Sequence, residues 1–213
     1  MQAQTNSLEC LDANSCMPLT GQSVLSVLGP RTTPEIILAT AALDSTSFFH
    51  GDWTSRADQL SPGGGAEIAG AIAAVAAARA LRGVAGALTT PVAFAIFSAE
   101  SWGRVGSRHL AACTWPPTNP PNPNTCPVTL PDMTSIREVI GIGGISEETE
   151  SNQFYAHIDP AAPGQAAAAT AIQAQLVAAD PNLTASTTEP QRLPTSSAET
   201  FARLFNTTAL VIA

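Results

Sequence analysis

Few side chains in this chain could do chemistry, and they stand apart from one another. Foremost is Glu100, where the apolar run Pro91-Val92-Ala93-Phe94-Ala95-Ile96-Phe97 gives way to Gly103, Gly106 and a basic, helix-like segment. The Val, Ile and Phe content of the run reads as a buried strand. Glu100 then lies just past the strand's carboxyl end, where ligands gather in open α/β sheets. A carboxylate there can hold a cation or serve as a base, or it can simply cap a helix or sit solvated in a loop. Asp44 and Ser45 follow a second apolar run, Glu35 to Thr40, and read as turn-forming or pocket-lining. His157-Ile158-Asp159 has a metal-compatible HxD spacing, although a loop histidine beside a hydrogen-bonded aspartate explains it more simply. His50 and His109 read as ordinary loop or surface residues. Gly63-Gly64-Gly65 neither follows a strand directly nor precedes Lys-Ser/Thr, which excludes a phosphate loop.

The rest of the composition sets the context. The net charge is -8 and no Lys/Arg cluster exists, which argues against a nucleic-acid partner. An acidic surface suits cationic groups, but acidity by itself specifies only solubility. Four cysteines fall into two local pairs, Cys10 with Cys16 and Cys113 with Cys126, without CxxC spacing or a nearby histidine to complete a zinc finger. Disulfides are the expected state, free buried thiols the alternative. Sequons at Asn182-Leu183-Thr184 and Asn206-Thr207-Thr208 point the same way, to a secreted or lumenal setting. Met1 is followed by polar residues with no signal-peptide pattern. Either the chain is a fragment or the lumenal assignment fails. The one segment apolar enough to suggest a membrane span, 66–88, contains Glu67, Arg79 and Arg82. A charge near the bilayer centre costs about 2.5–3.5 kcal/mol on insertion scales, so a core-facing helix is expected instead.

These residues must be positioned by a chain long enough, at 213 residues, for one substantial core. Residues 1–30 read as a loop-like, disulfide-bearing lead that includes the short apolar segment Ser23 to Leu28. Strands are expected at Glu35 to Thr40, from 91 to the Glu100 turn, at Ile136 to Ile145 and at Ala209 to Ala213. Ala-rich helices are expected at Glu67 to Leu81 and Gly164 to Ala179. A further helix should follow the Glu100 turn, and another should open at Ser196 with Glu199 at capping-box spacing. Residues 146–160 read as a polar loop, and 115–131 as a Pro-rich insertion. If Cys113 and Cys126 pair, they staple that insertion, worth about 3 kcal/mol in the loop-entropy picture. The order β-α-β-α-β-α-α-β predicts an α/β fold, a mostly parallel sheet flanked by helices.

Laid end to end, these segments resemble the nicastrin family, large glycoprotein subunits of γ-secretase with an aminopeptidase-like lumenal domain. Cys16-Met17-Pro18-Leu19 with Ser23 to Pro30 is similar to the segment before that family's first core strand. Leu38-Ala39-Thr40 with Leu43-Asp44-Ser45-Thr46-Ser47-Phe48-Phe49 resembles its ATRLDSRSFF pattern. Phe97-Ser98-Ala99-Glu100 with Val105-Gly106-Ser107 resembles FFQGETFDYIGS. His157 to Pro160, Leu193 to Ser197 and Phe201 onward are similar to the remainder. The resemblance implies that residues 31–213 form a degenerate zinc-aminopeptidase-like domain, incomplete at one or both ends.

Resemblance to the zinc peptidases is more distant, and ligand chemistry separates the two. A two-zinc site needs several His, Asp and Glu ligands and a separate carboxylate base. The peptidases' His-x-Asp-Ser becomes Ala42-Leu43-Asp44-Ser45, their Asp-Asn-x-Ser-Gly becomes Ala66 to Gly70, and their Glu-Glu becomes Glu100-Ser101. A further ligand would fall near Glu138. The resemblance therefore implies no metal, no cofactor and no catalytic residues. It implies a non-catalytic lumenal or extracellular subunit acting as substrate receptor or steric gatekeeper on a single-pass membrane protein. Presenilin and the other γ-secretase membrane subunits would be its partners, and stubs of type I membrane proteins its substrates. Glu100 would be the main pocket carboxylate, able to meet a substrate ammonium, with Ser101, Arg104 and Asp44 lining the pocket. Gly103 and Arg104 stand where the family's motif has Asp and Tyr, and Arg104 is expected to neutralise Glu100 and weaken amine capture. Phe48 and Phe49 read as core, and Trp102 as core or interface. The competing expectations are a divergent secreted zinc aminopeptidase and a plain secreted, transferrin-receptor-like scaffold.

Overall fold

The computed structural model describes residues 21–30, 32–44, 64–101, 103–114, 136–143, 153–159, 166–186 and 193–213. Ser45, Phe48, Phe49, His50, Trp102, Cys10, Cys16, Cys126 and the 115–131 insertion lie outside them.

Within the described residues seven strands form one sheet: β1 (Val24–Leu28), β2 (Ile36–Ala42), β3 (Val92–Phe97), β4 (Ile136–Ile142), β5 (Phe154–Ile158), β6 (Leu183–Ala185) and β7 (Thr208–Ile212). Their spatial order is β1-β3-β2-β4-β7-β5-β6. The centre is parallel, through β3-β2, β2-β4 and β4-β7, as is the β5-β6 pair. The β1-β3 and β5-β7 pairings are antiparallel. Helices α1 (Gly64–Arg82), α2 (Val105–Thr114), α3 (Ala166–Ala179) and α4 (Ser197–Phe205) cover the two faces. The α/β class with a mostly parallel sheet is thus what the chain adopts.

Alternation along the strands sorts the core into two layers. Ile36 and Leu38 of β2, Ala93, Ala95 and Phe97 of β3, Val139 of β4 and Val211 of β7 point to one face. They meet Ala111 of α2 with Ala198 and Phe201 of α4. On the other face, Ala39, Ala41 and Phe94 meet Ala74 of α1, and Ala156, Ile158 and Leu210 meet Ala169 of α3. Phe201 is fully buried and stacks between Phe97, centroids 5.9 Å apart, and Phe205, at 6.1 Å. Burying side chains of this size contributes roughly 1.5–3 kcal/mol each. That contact ties α4 to the strand that leads into Glu100.

Three strands depart from the sequence-based expectation. Ser23 to Leu28 is not loop: β1 pairs along its length with β3, Val24 opposite Ile96 and Leu28 opposite Val92. The segment 146–160 is not a continuous polar loop either, since β5 occupies Phe154–Ile158 and pairs with β7, His157 opposite Val211. Both are short strands whose pattern is set by their neighbours in the sheet rather than by a long apolar run. β6 has only three residues, too few for periodicity to register.

The strand position of His157 makes its protonation visible in stability. Burial lowers its pKa from 6.5, because desolvation disfavours the charged ring. Its folded pKa therefore lies below its unfolded one. The folded state keeps its full stability above about pH 6.5 and loses some as pH falls from there through the folded pKa. Partial exposure keeps the effect small. Melting between pH 7.5 and 5.5 should show a modest acid-side loss that His157→Gln reduces.

Candidate functional site

The parallel centre of the sheet delivers the ends of β2 and β3 to one place. β2 ends at Ala42, whose register partner is Phe97, the last residue of β3. Asp44 and Glu100 follow those ends by two and three residues. The turn between β3 and α2 is tightly wound, with Ala99, Gly103 and Arg104 all at positive φ (60°, 75° and 59°). Ala99 and Arg104 carry a Cβ in that region, a conformation that persists only where the surroundings enforce it.

Asp44 supplies part of that enforcement. Its Oδ1 accepts from the Glu100 backbone N–H at 2.9 Å and its Oδ2 from the Ser101 N–H at 3.2 Å. The Ser101 hydroxyl donates back to the Asp44 carbonyl at 3.0 Å. Both carboxylate oxygens of Asp44 thus clamp the turn. Asp44→Ala should lower stability by about 2 kcal/mol, a charge-assisted clamp being worth roughly that, and Asp44→Asn by less, read by urea unfolding.

Glu100 is buried, at 8% exposure, and faces inward. Its Oε1 accepts from the Ser107 backbone N–H at 2.7 Å. Its Oε2 accepts from the Ser107 hydroxyl at 3.0 Å and from the Ser197 hydroxyl at 2.6 Å. Ser107 has one hydroxyl proton, and Glu100 takes it, so in the 2.9 Å contact between Ser107 and Thr200 the Thr200 hydroxyl is the donor. Ser107 lies in the first turn of α2 and Ser197 in the first turn of α4. The carboxylate therefore sits between two helix amino termini, where backbone N–H groups and macrodipoles favour an anion. Three of its roughly four lone-pair sites are taken.

Arg104 does not pair with Glu100. Its guanidinium contacts Glu199 of α4, which also receives Arg203 at 2.5 Å. Glu199 thereby leaves the capping-box role the spacing predicts: Ser196 is extended (φ -155°, ψ 166°) but makes no side-chain cap. Asp44, Glu100, Ser101 and Arg104 lie together where β2 and β3 end, joined by hydrogen bonds within the turn. Sequence reasoning missed Ser107, Ser197, Glu199 and Thr200 as members of the cluster. Ser107 and Ser197 stood within the segments carrying the family resemblance, but nothing local marks a serine as a carboxylate's partner.

Glu138 is not part of the site. It lies early in β4, opposite Ile37 at the start of β2, and pairs with Arg137 at 3.0 Å. Asp44 and Glu100 follow the opposite ends of parallel strands. His157 and Asp159 lie with β5, beyond β7 in the sheet order. Among the described residues no group of three or more His, Cys, Asp or Glu side chains could hold a metal ion. Cys113 is in a disulfide, its other half outside the described residues, and His109 Nε2 lies 3.7 Å from its sulfur. Asn182 and Asn206 are exposed, Asn206 in the left-handed conformation that ends α4.

Known proteins share this framework. A family model described as the nicastrin large lobe matches residues 35–213. Nicastrin of Arabidopsis thaliana is 30% identical over 162 residues, 71% of this chain and 22% of that protein. Nicastrin of Dictyostelium purpureum is 33% identical over 116 residues, 52% of this chain and 16% of that protein. The chain thus spans about a fifth of their length. The crystal structure of the γ-secretase component nicastrin superposes with a TM-score of 0.69 at 24% identity, covering 100% of this chain and 39% of that one. A zinc aminopeptidase from Bacillus subtilis follows at 0.58 and 15%, covering 89% and 39%. The two structural likenesses establish a partial aminopeptidase-like fold, and with the family match over residues 35–213, the chain belongs to the nicastrin family.

Proposed function

We propose that the chain is a lumenal lobe of a non-catalytic γ-secretase subunit, acting chiefly as a steric gate for membrane-protein stubs. The observation that carries this is the commitment of both site carboxylates to internal donors. Asp44 holds the turn and Glu100 holds two helices. Neither resembles the open ligand set that a hydrolytic zinc pair needs. Family membership supports the complex: presenilin and the other membrane subunits as partners, and type I stubs as substrates. The Cys113 disulfide and the exposed Asn182 and Asn206 sequons support the lumenal side, with both asparagines glycosylated. No described helix is long and apolar enough to cross a membrane.

The test is co-purification of the tagged chain with presenilin from membranes, alongside an assay on chromogenic amino-acid amides. Presenilin is expected in the eluate, and no turnover with or without added zinc. Zinc-dependent turnover abolished by a chelator would overturn the proposal in favour of a divergent aminopeptidase. Failure to associate with presenilin would favour a plain scaffold.

A further inference from the structure

The sheet ends in two unlike edges. β6 closes one side with only three residues, and a strand that short offers little for another chain to pair with. The other side ends in β1, whose five residues read Val24-Leu25-Ser26-Val27-Leu28. One edge of β1 is bonded to β3, and among the described residues no strand pairs with its other edge. Proteins usually guard such an edge with a charge, a proline or a bulge. β1 has no charged residue, no proline and an unbroken register with β3.

The surface beside that edge is apolar as well. A groove of about 200 Å³ opens between β1 and α1, walled by Val24, Leu28 and Val75 and floored by Phe94 and Ile96 of β3. Outside it, α1 carries Ile68 and Ile72, which with Val75 are spaced four and three residues apart and so share one helix face. Val24 is 60% exposed and Ile72 63%, so this apolar face meets solvent. The same stripe runs on into Arg79 and Arg82, which line the groove where α1 ends. That end of the helix leads back to the start of β3, where Val92 is the partner of Leu28, so the arginines stand toward the Leu28 end of β1. Both suit the negative pole of the helix, yet among the described residues neither joins an ion pair. The pairs formed are Arg104 and Arg203 with Glu199, and Arg137 with Glu35 and Glu138.

We propose that β1 and this groove dock an extended segment of a separate partner protein, with apolar side chains at alternate positions and carboxylates at its amino end. The segment adds antiparallel to β1, its backbone pairing with the open edge and its alternate side chains entering the groove. In that direction its amino end lies beside Leu28, where Arg79 and Arg82 receive the carboxylates. A parallel segment would carry the same carboxylates to the Val24 end, away from both arginines, so charge complementarity fixes the polarity. A second copy of the chain fits less well: β1 paired with itself brings no carboxylate to the arginines, since β1 has none. The groove lies on the α1 face of the sheet, opposite the α2 and α4 face that holds Glu100. The proposal is therefore independent of the steric gate, which stands if it fails.

The probe is the peptide Asp-Glu-Val-Thr-Val-Thr-Val, acetylated and amidated at its ends, titrated into the isotope-labelled unaltered chain and followed by NMR. Saturable shifts are expected at residues 24–28 and at Val75, with slowed amide exchange in β1 as its open edge becomes paired. Replacing Asp-Glu by Lys-Lys in the peptide should weaken binding at least about tenfold, attraction at two arginines becoming repulsion. Arg79→Glu/Arg82→Glu should reverse that preference. Val75→Glu, at an exposed position in the groove, should weaken the acidic peptide about tenfold by like-charge repulsion with an unchanged melting temperature. The exchange of peptides on the unaltered chain keeps the test decisive even where a variant folds poorly. Absence of saturable binding, or equal affinity for the two peptides, would overturn the proposal. So would shifts along α1 without slowed exchange in β1, which would mean a partner packed on the helix. Self-association of the unaltered chain that Val75→Glu abolishes would overturn it in favour of a second copy.

Discussion

Glu100→Ala is expected to lower the stability of the fold by about 3–4 kcal/mol, a large share of what a domain of this size possesses. Removing the carboxylate strands three buried donors: the Ser107 backbone N–H, the Ser107 hydroxyl and the Ser197 hydroxyl. An unsatisfied buried donor costs roughly 1–3 kcal/mol, and hydrogen bonds to charged groups exceed neutral ones. Glutamine should cost only about 1 kcal/mol. Its carbonyl can take the fixed Ser107 N–H, while the two hydroxyls rotate to accept from its amide. The ordering Ala well below Gln, with Gln close to the native residue, is what urea unfolding should show. A Glu100→Ala variant within about 0.5 kcal/mol of the parent would mean the carboxylate is not a structural clamp.

Gly106→Ala is the second large effect, with a sign opposite to the usual helix rule. An exposed helical glycine replaced by alanine gains about 1 kcal/mol. Here a Cβ at position 106 would stand 2.2 Å from the Ser98 backbone oxygen, 3.2 Å from Glu100 Oε1 and 3.3 Å from Phe97 Cβ. The first of these is backbone and cannot rotate away, so α2 must lift from the turn. Overpacking of this kind costs about 3 kcal/mol, which outweighs the propensity gain. Loss of Glu100's contact with the Ser107 N–H should accompany it, seen as faster amide exchange at Ser107. Gly86→Ala is the control: nothing lies within 4 Å of its Cβ position, so its stability should be nearly unchanged.

The fold's centre was legible because β2, β3, β4 and β7 are short apolar runs bounded by breakers and separated by Ala-rich helices. Glu100 stood out because its strand end is where such sheets place ligands. What a single sequence did not carry was direction. Burial turned Glu100 toward Ser107 and Ser197, residues seven and 97 positions away, and no local pattern specifies a contact across that separation. The same holds for Arg104. Proximity in sequence favoured Glu100 as its partner, but the positive φ at the start of α2 aims the side chain at Glu199 on another helix. Glu199 itself showed how spacing can mislead: a capping-box position is one use of a carboxylate in a first helical turn, and two arginines offered a stronger one. β1, β5 and β6 escaped because edge and near-edge strands draw on their neighbours for definition more than on their own composition.

The central claim is that Glu100 is turned inward to join α2 and α4, not outward to a metal. A double-mutant cycle between Glu100→Ala and Ser197→Ala, read by urea unfolding, tests it most directly. A coupling energy of about 1 kcal/mol or more is expected, since hydrogen-bonded residues in one network are non-additive on that scale. Additivity within about 0.3 kcal/mol would contradict it and leave the two helices independent of the carboxylate.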